Sequence, residues 1–73
     1  MYVDIDQLKR EFSKRLRIEL RRKNMTQTEL ADLVDMSRAQ INHYITGKRL
    51  PSYYNLSKIV AALGCSMDKF NCL

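Results

Sequence analysis

The chain contains few of the residues from which linkers, phosphate-binding loops and metal sites are built. Its 73 residues include two glycines, one proline, two cysteines and one histidine, and tryptophan is missing. So little glycine and proline excludes a low-complexity linker and a glycine-rich phosphate loop. A chain of this length predicts a single domain, residues 1–73, with no room for a second domain or a deep substrate cleft.

The cysteines and the histidine do not combine into a reactive or metal-binding group. Cys65 and Cys72 are seven residues apart, without a CxxC motif or an accompanying histidine, and so match neither a zinc site nor a redox motif. We interpret them as buried or free reduced thiols of an intracellular chain. His43 alone cannot complete a Ser, His and acid array or a metal quartet. The sequence therefore predicts that the protein is not an enzyme, and it indicates no cofactor, metal or small-molecule substrate.

The chain also has no long apolar run, and its acidic residues are too few to balance its basic residues. The longest apolar run, residues 59–63, is far shorter than a membrane span, and no signal peptide opens the chain. The default expectation is a soluble cytoplasmic protein without a membrane partner. Thirteen Lys plus Arg against eight Asp plus Glu give a net charge of +5. That excess favours a polyanionic partner, nucleic acid above all, through phosphate contacts and counterion release.

The segment 26–47 contains two helix starts. Thr26 is followed three residues later by Glu29, and Ser37 by Gln40. In each pair the hydroxyl can cap the helix while the acid or amide side chain bonds back to the capping residue. Two capping boxes are therefore predicted within one short segment.

The residues next to these caps define how the two helices meet. Met25 with Leu30, and Met36 with Ile41, have the spacing of hydrophobic staples, which fix how the chain enters a helix. Only Asp35 and Met36 remain to make the turn. So short a connection makes the two helix axes cross, and the pattern is a helix-turn-helix.

At these residues the chain resembles the Cro and phage-repressor type of helix-turn-helix domain, the XRE family. The resemblance extends from about Phe12 to Phe70 and includes spacing and residue type across four helices. The matching residues are Thr26, Gln27, Glu29, Leu30, Ala31, Val34, Ser37, Ile41, Gly47, Lys48, Pro51, Ser52, Leu56, Leu63, Gly64, Ser66 and Asp68. The resemblance implies an all-α, compact five-helix lambda-repressor-like domain that binds operator DNA and regulates transcription.

Helical periodicity places the other elements around this motif. Asp4 or Asp6 can cap helix one, whose predicted apolar face consists of Ile5, Leu8, Phe12, Leu16 and Leu20. Helix two is predicted from Gln27 to about Val34, and helix three from Arg38 to about Thr46. Gly47 would end helix three as a left-handed residue.

Helix four is predicted to start at Pro51 and Ser52 and to stop at Gly64. Its predicted apolar residues are Leu56, Ile59, Val60 and Leu63. Ser66 would cap a short fifth helix, with Cys65 and Phe70 as a further staple.

Two features depart from the family's habit. Asp35 stands where the family usually has glycine, and since Asp tolerates the left-handed region we predict a positive φ there. Leu20 and Ile45 match positions that often form an ion pair between helices one and three. Such a pair can be exchanged for apolar side chains with little loss when both partners change. We therefore predict that Leu20 and Ile45 are buried in contact.

Helix three is the predicted recognition helix, and its outward residues differ in what they could read. Arg38 can donate two bonds to guanine, Ala39 offers a methyl surface to a thymine methyl, and Asn42 and His43 can both donate and accept. By resemblance, Arg38, Ala39 and His43 match base-contacting positions, and geometry adds Asn42. His43 could instead be an ordinary solvated histidine. The side chain of Gln40 is expected to be occupied in its capping box.

The expected phosphate contacts flank this helix. By resemblance, Gln27 bonds to a phosphate from the start of helix two, where the helix dipole also favours an anion. Lys48 and Arg49 follow helix three in a loop that in the family approaches the DNA backbone, and Thr46 is a further candidate. The basic residues of helix one are either a solvated face or, at residues 21–23, additional phosphate contacts.

These features predict sequence-specific binding to an operator in double-stranded DNA, one half-site per domain of a homodimer, by a transcriptional regulator of the repressor kind. The alternative is a protein-interaction module of another class, for instance the antitoxin of a toxin and antitoxin pair, with secondary DNA binding.

Overall fold

The computed structural model of the chain describes residues 4–65 and residue 70. This part of the chain is all-helical and contains four helices: α1 (Ile5–Arg22), α2 (Gln27–Val34), α3 (Arg38–Ile45) and α4 (Tyr53–Leu63). The all-α prediction is confirmed, with four helices in the described residues where five were predicted. The fifth helix was placed from Ser66, and residues 66–69 lie outside the described part.

Helix α1 begins at the first of its two predicted caps. The backbone N–H of Gln7 donates to Asp4 Oδ1 at 3.2 Å. Of the predicted apolar face, Phe12, Leu16 and Leu20 are buried and Leu8 is half-buried, but Ile5 is 51% exposed. The prediction for Ile5 was wrong because α1 has 18 residues, about 27 Å, whereas α2 and α3 have eight each. The first turn of α1 therefore extends past the helices that cover the rest of its apolar face.

The capping box of α2 is confirmed in both directions. The N–H of Glu29 donates to Thr26 Oγ1 at 3.0 Å, and the N–H of Thr26 donates to Glu29 Oε1 at 2.9 Å. The bond from the Thr26 backbone, followed by that from its side chain, lowers the pKa of Glu29. The carboxylate thus stays charged at the positive end of α2.

The second capping box forms only in part. Ser37 caps α3 as predicted, since its Oγ accepts from the N–H of Gln40 at 3.1 Å. The amide of Gln40 does not bond back to Ser37; it donates to the hydroxyl of Tyr44 at 3.3 Å. The local sequence pattern predicted that the Gln40 amide bonds to the cap residue, but it bonds instead to the buried Tyr44 hydroxyl one turn further along α3.

The turn between α2 and α3 has the predicted left-handed residue. Asp35 has φ 56° and ψ 48°, and the next N–H, of Met36, donates to the carbonyl of Ala31 at 3.0 Å. Met25 and Met36 pack, partly buried, against the core that contains Leu30 and Ile41. The turn is thus stabilised by a backbone hydrogen bond and by the apolar contacts of Met25 and Met36 with the core.

Replacing Asp35 by glycine is expected to raise the free energy of unfolding by about 1 kcal/mol. Glycine adopts this conformation without strain, and the change removes a negative charge from the C-terminal end of α2. Urea denaturation of the wild type and of Asp35→Gly measures the difference, and Asp35→Asn separates the charge from the backbone effect. A less stable Asp35→Gly variant would contradict the assigned role of the turn.

Helix α4 is capped by Ser52 and ends at Gly64 as predicted, but Pro51, which was predicted to start it, lies before the cap. Ser52 Oγ accepts from the N–H of Asn55 at 3.1 Å, and Gly64 ends the helix with φ 66°. All four predicted apolar residues of α4 are buried. They join the core cluster, whose members are Phe12, Leu16, Leu20, Leu30, Ala31, Val34, Ile41, Tyr44, Leu56, Ile59, Val60, Leu63 and Phe70.

Phe12 lies at the centre of the core cluster. Its ring meets Tyr44 of α3 edge-on, with 6.3 Å between centroids, and packs tilted against Phe70 at 5.3 Å. Phe12 therefore joins α1 to α3 and to the C-terminal part of the chain. Phe70 is buried as the predicted staple requires, and Cys65 packs, partly buried, against the same cluster.

Candidate nucleic-acid interface

Helix α3 packs against α1 and α2 along one side. Ile41 and Tyr44 are buried on that side, while Arg38, Ala39 and Asn42 are exposed on the other. His43 is half-buried. Arg38 and Asn42 are four residues apart, as are Ala39 and His43, so a single face of α3 carries all the predicted base-contacting side chains.

Arg38 and Ala39 occupy the first turn of α3, directly after the cap at Ser37. The N-terminal turn is the part of a recognition helix that reaches base edges, so the longest and most strongly charged of the predicted readers stands at that end. Asn42 and His43 follow one turn later. The four side chains thus form a strip of mixed donors, acceptors and one methyl group.

A cleft of about 340 Å³ opens beside this strip. Ala39, Gln40 and His43 line it from α3, and Arg49 and Leu50 line it from the following loop. Arg49 and His43 therefore border the same recess, although they are six positions apart in sequence. The recess joins the predicted base-reading strip to one of the predicted phosphate contacts.

Tyr44 connects this region to α4. Its hydroxyl accepts from Gln40 Nε2 at 3.3 Å and from Asn55 Nδ2, in the first turn of α4, at 3.2 Å. The bonds link α3, the lining of the cleft and α4 through one buried ring. Helical spacing places Tyr44 on the inner side of α3 but does not show this network. The available signal is that a buried tyrosine needs a partner for its hydroxyl.

The loop after α3 is tied to the helix backbone. Gly47 has φ 79°, as predicted, and the N–H groups of Lys48 and Arg49 both donate to the carbonyl of His43, at 2.9 and 3.3 Å. Both side chains are exposed, and neither takes part in an ion pair between described residues. Two cations are thus presented from a fixed loop beside α3.

Gln27 and Thr46, the other two predicted phosphate contacts, differ in whether they can donate a hydrogen bond to a phosphate. Gln27 is the first residue of α2 and is half-buried, at the end where backbone N–H groups point outward. Thr46 Oγ1 donates to the carbonyl of Asn42 at 2.8 Å. A hydroxyl has one hydrogen, so Thr46 in this arrangement has none left to offer a phosphate.

The basic residues of α1 are partly engaged within the protein. Arg22 and Arg15 lie 3.2 and 4.0 Å from a carboxylate oxygen of Glu19, whose side chain is only 2% exposed. Sequence analysis did not single out Glu19, although its spacing from the two arginines was the available signal. Within residues 21–23, Arg22 is therefore partly neutralised and is the weakest candidate for a DNA phosphate.

Leu20 and Ile45, which were predicted to be buried in contact, differ in burial, and their mutual contact stays a prediction. Leu20 is buried, and Ile45 packs against the core cluster but is only half-buried. The backbone carbonyl of Ile45 accepts from the hydroxyl of Ser13 and from Arg17 Nη1. A polar link between α1 and α3 is thus present through the backbone of α3.

Other kinds of site have no support within the part of the chain that the structure describes. It holds no group of three or more His, Cys, Asp and Glu residues placed to hold a metal ion. None of its helices is both long and apolar enough to cross a membrane. Cys72, the second predicted thiol, lies outside the described residues.

Comparison with known proteins agrees with this geometry. A helix-turn-helix family model matches residues 14–70, more than three quarters of the chain. The match includes α2, the turn and α3, and it also extends over the C-terminal half of α1 and all of α4. No curated protein matches the chain significantly.

Proposed function

Since the chain belongs to the Cro/C1-type helix-turn-helix family, the XRE family of DNA-binding transcription regulators, we propose that it represses transcription by placing α3 in the major groove of an operator. The observation that carries the proposal is the two-sided character of α3. One side is buried against α1 and α2, and the other presents exposed polar and charged side chains beside a basic loop.

In this proposal the strip on α3 selects the sequence. Arg38 donates two bonds to the O6 and N7 atoms of a guanine, and Ala39 contacts a thymine methyl. Asn42 pairs with an adenine edge, and His43 donates or accepts at the neighbouring base pair. The assignments follow from the groups that the side chains carry, hydrogen-bonding for Arg38, Asn42 and His43 and a methyl for Ala39. They also follow from the position of these residues on one face of α3.

Phosphate contacts would fix the position of α3 along the DNA. Gln27 and the N-terminal end of α2 would meet one phosphate, and Lys48 and Arg49 would meet phosphates near the C-terminal end of α3. Thr46, directly after α3, would add a phosphate contact only if its hydroxyl turned away from Asn42. Contacts at both ends of α3 would hold it at a fixed angle in the groove.

The proposed active species is a symmetric dimer whose two α3 helices enter half-sites about one helical turn apart. A dimer bound to the operator would sterically exclude the transcription machinery. The proposal places the protein in the cytoplasm with its DNA.

Selection from a pool of random duplexes tests the proposal. Bound duplexes are sequenced over several rounds, and the enriched site is then titrated by fluorescence anisotropy at several salt concentrations. We expect enrichment of one short, two-fold symmetric site and binding that weakens steeply with salt. Flat titrations with every duplex, together with a tight protein partner in a pull-down, would favour the antitoxin-like alternative.

Removing both loop cations tests the proposed backbone contacts. The double variant Lys48→Ala and Arg49→Ala should weaken binding to enriched and scrambled duplexes to the same degree, and reduce the slope of log K against log salt by about 2. The control is Arg10→Ala with Lys14→Ala, which removes the same charge from exposed positions of α1. Equal effects of the two double variants would show that only net charge matters.

A further inference from the structure

Among the described residues, the backbone at the C-terminal end of α3 bonds to α1 through one carbonyl group. The last four carbonyls of a helix lack partners within it, and here those carbonyls belong to residues 42–45. The first three accept from the residues that follow α3: Asn42 from Thr46, His43 from Lys48 and Arg49, and Tyr44 from Gly47. The carbonyl of Ile45 accepts instead from Ser13 and Arg17 of α1.

Ser13 and Arg17 form one connected group around this carbonyl. Arg17 Nη1 donates to Ser13 Oγ at 3.0 Å and to the Ile45 oxygen at 3.3 Å, and Ser13 Oγ itself donates to the same oxygen. Ser13 is only 2% exposed, although it is polar and lies on the side of α1 that carries the core. The hydroxyl and the guanidinium thus share a single acceptor at the end of the proposed recognition helix.

The backbone after α3 approaches the same part of α1. A Cβ atom at Gly47 would lie 3.6 Å from the carbonyl oxygen of Lys9 and 3.7 Å from Ser13 Cβ, which are ordinary contact distances. The segment that carries Thr46, Lys48 and Arg49 therefore starts in contact with α1 at Ser13. A shift at this point would move the loop cations and the end of α3 together.

We propose that Ser13 and Arg17 are positioning residues for specific DNA recognition, which fix the end of α3 and residues 46–49 against α1. The inference rests on the proposed function, because it concerns the alignment of α3 with base edges. Arg17 acts here through the Ile45 carbonyl, where its charge also complements the negative end of the α3 dipole. It does not serve as a phosphate contact.

The test compares four full-length variants with the wild type. Ser13→Ala removes the hydroxyl without changing charge, and its control is Ser57→Ala, whose hydroxyl donates within α4 to the carbonyl of Tyr53. Arg17→Ala removes the guanidinium, and its control is Arg10→Ala on the same helix. Dissociation constants are measured for the enriched duplex and for a scrambled duplex over a series of salt concentrations, at a temperature where each variant is folded.

We expect Ser13→Ala and Arg17→Ala to weaken binding to the enriched duplex by about threefold to tenfold. Binding to the scrambled duplex and its salt slope should stay within the range of the two controls. Destabilisation alone would not change the ratio of the two affinities in folded protein. Should Ser13→Ala not fold, the exposed Arg17→Ala decides the question.

Two results would overturn the inference while leaving the proposed function intact. The first is an unchanged affinity ratio in both variants. The second is an equal loss on both duplexes with a salt slope lower by about one in Arg17→Ala, which would make Arg17 a phosphate contact. A wild type that binds no duplex would instead overturn the proposed function, and the inference with it.

Discussion

Replacing Phe12 with alanine is expected to lower the free energy of unfolding by about 3–5 kcal/mol. The side chain is fully buried, and its ring contacts Tyr44 and Phe70. Truncation would leave a cavity where α1, α3 and the C-terminal part of the chain meet. Small domains have total stabilities near the lower end of about 5–15 kcal/mol, so this variant should be largely or partly unfolded.

Urea denaturation followed by far-ultraviolet circular dichroism measures the effect. Ile5→Ala is the matched control, because Ile5 is an apolar residue of the same helix that is half exposed. Its cost should stay below about 1 kcal/mol, since surface substitutions have small effects. If Phe12→Ala and Ile5→Ala lowered the free energy of unfolding by similar amounts, Phe12 would not be the centre of the core.

Replacing Arg38 with alanine should cost about 1–3 kcal/mol of binding free energy at the preferred site and relax the preference at one base pair. Arg38 is exposed in the first turn of α3, and only arginine among the outward residues of this helix can bond two guanine acceptors at once. The alanine variant should bind scrambled duplexes nearly as well as the wild type does.

Repeating the duplex selection with Arg38→Ala measures the change in preference directly. Arg38→Lys keeps the charge but loses the planar pair of donors, and so should bind scrambled duplexes as the wild type does without recovering the guanine preference. An equal loss of affinity on every duplex in Arg38→Ala would mean that Arg38 meets only the DNA backbone.

Features that depend on a few neighbouring residues could be predicted from the sequence. The caps at Thr26, Ser37 and Ser52 and the left-handed residues Asp35 and Gly47 are all found in the structure. Each depends on a hydrogen bond or a φ angle within four residues of the signal, so no knowledge of the whole fold was needed.

Features that depend on distant parts of the chain could not be predicted in this way. Ser13 bonds to the carbonyl of a residue 32 positions away, and periodicity does not distinguish such a serine from a solvated one. The amide of Gln40 was assigned to a local cap but bonds to Tyr44, because the packing of α3 brings a second acceptor within reach. Ile5 was placed on the apolar face of helix one with the buried residues, because periodicity does not show how far along the helix that face is covered.

The same distinction between local and long-range features holds for the candidate site. The exposure of Arg38, Ala39 and Asn42 follows from helical spacing alone and is found in the structure. The internal bond of Thr46 and the recess shared by His43 and Arg49 depend on how the loop after α3 folds back. Which base each side chain reads remains a prediction from hydrogen-bonding chemistry.

Methylation interference on the enriched duplex tests the central claim most directly. Dimethyl sulfate methylates guanine at N7 in the major groove and adenine at N3 in the minor groove, and duplexes still bound by the protein are then separated and cleaved at the modified bases. If the outer face of α3 lies in the major groove, methylation at N7 of one or more guanines in each half-site should block binding, while methylation at N3 within the α3 contact region should not. Interference confined to adenine N3, or no interference at any base, would contradict the account.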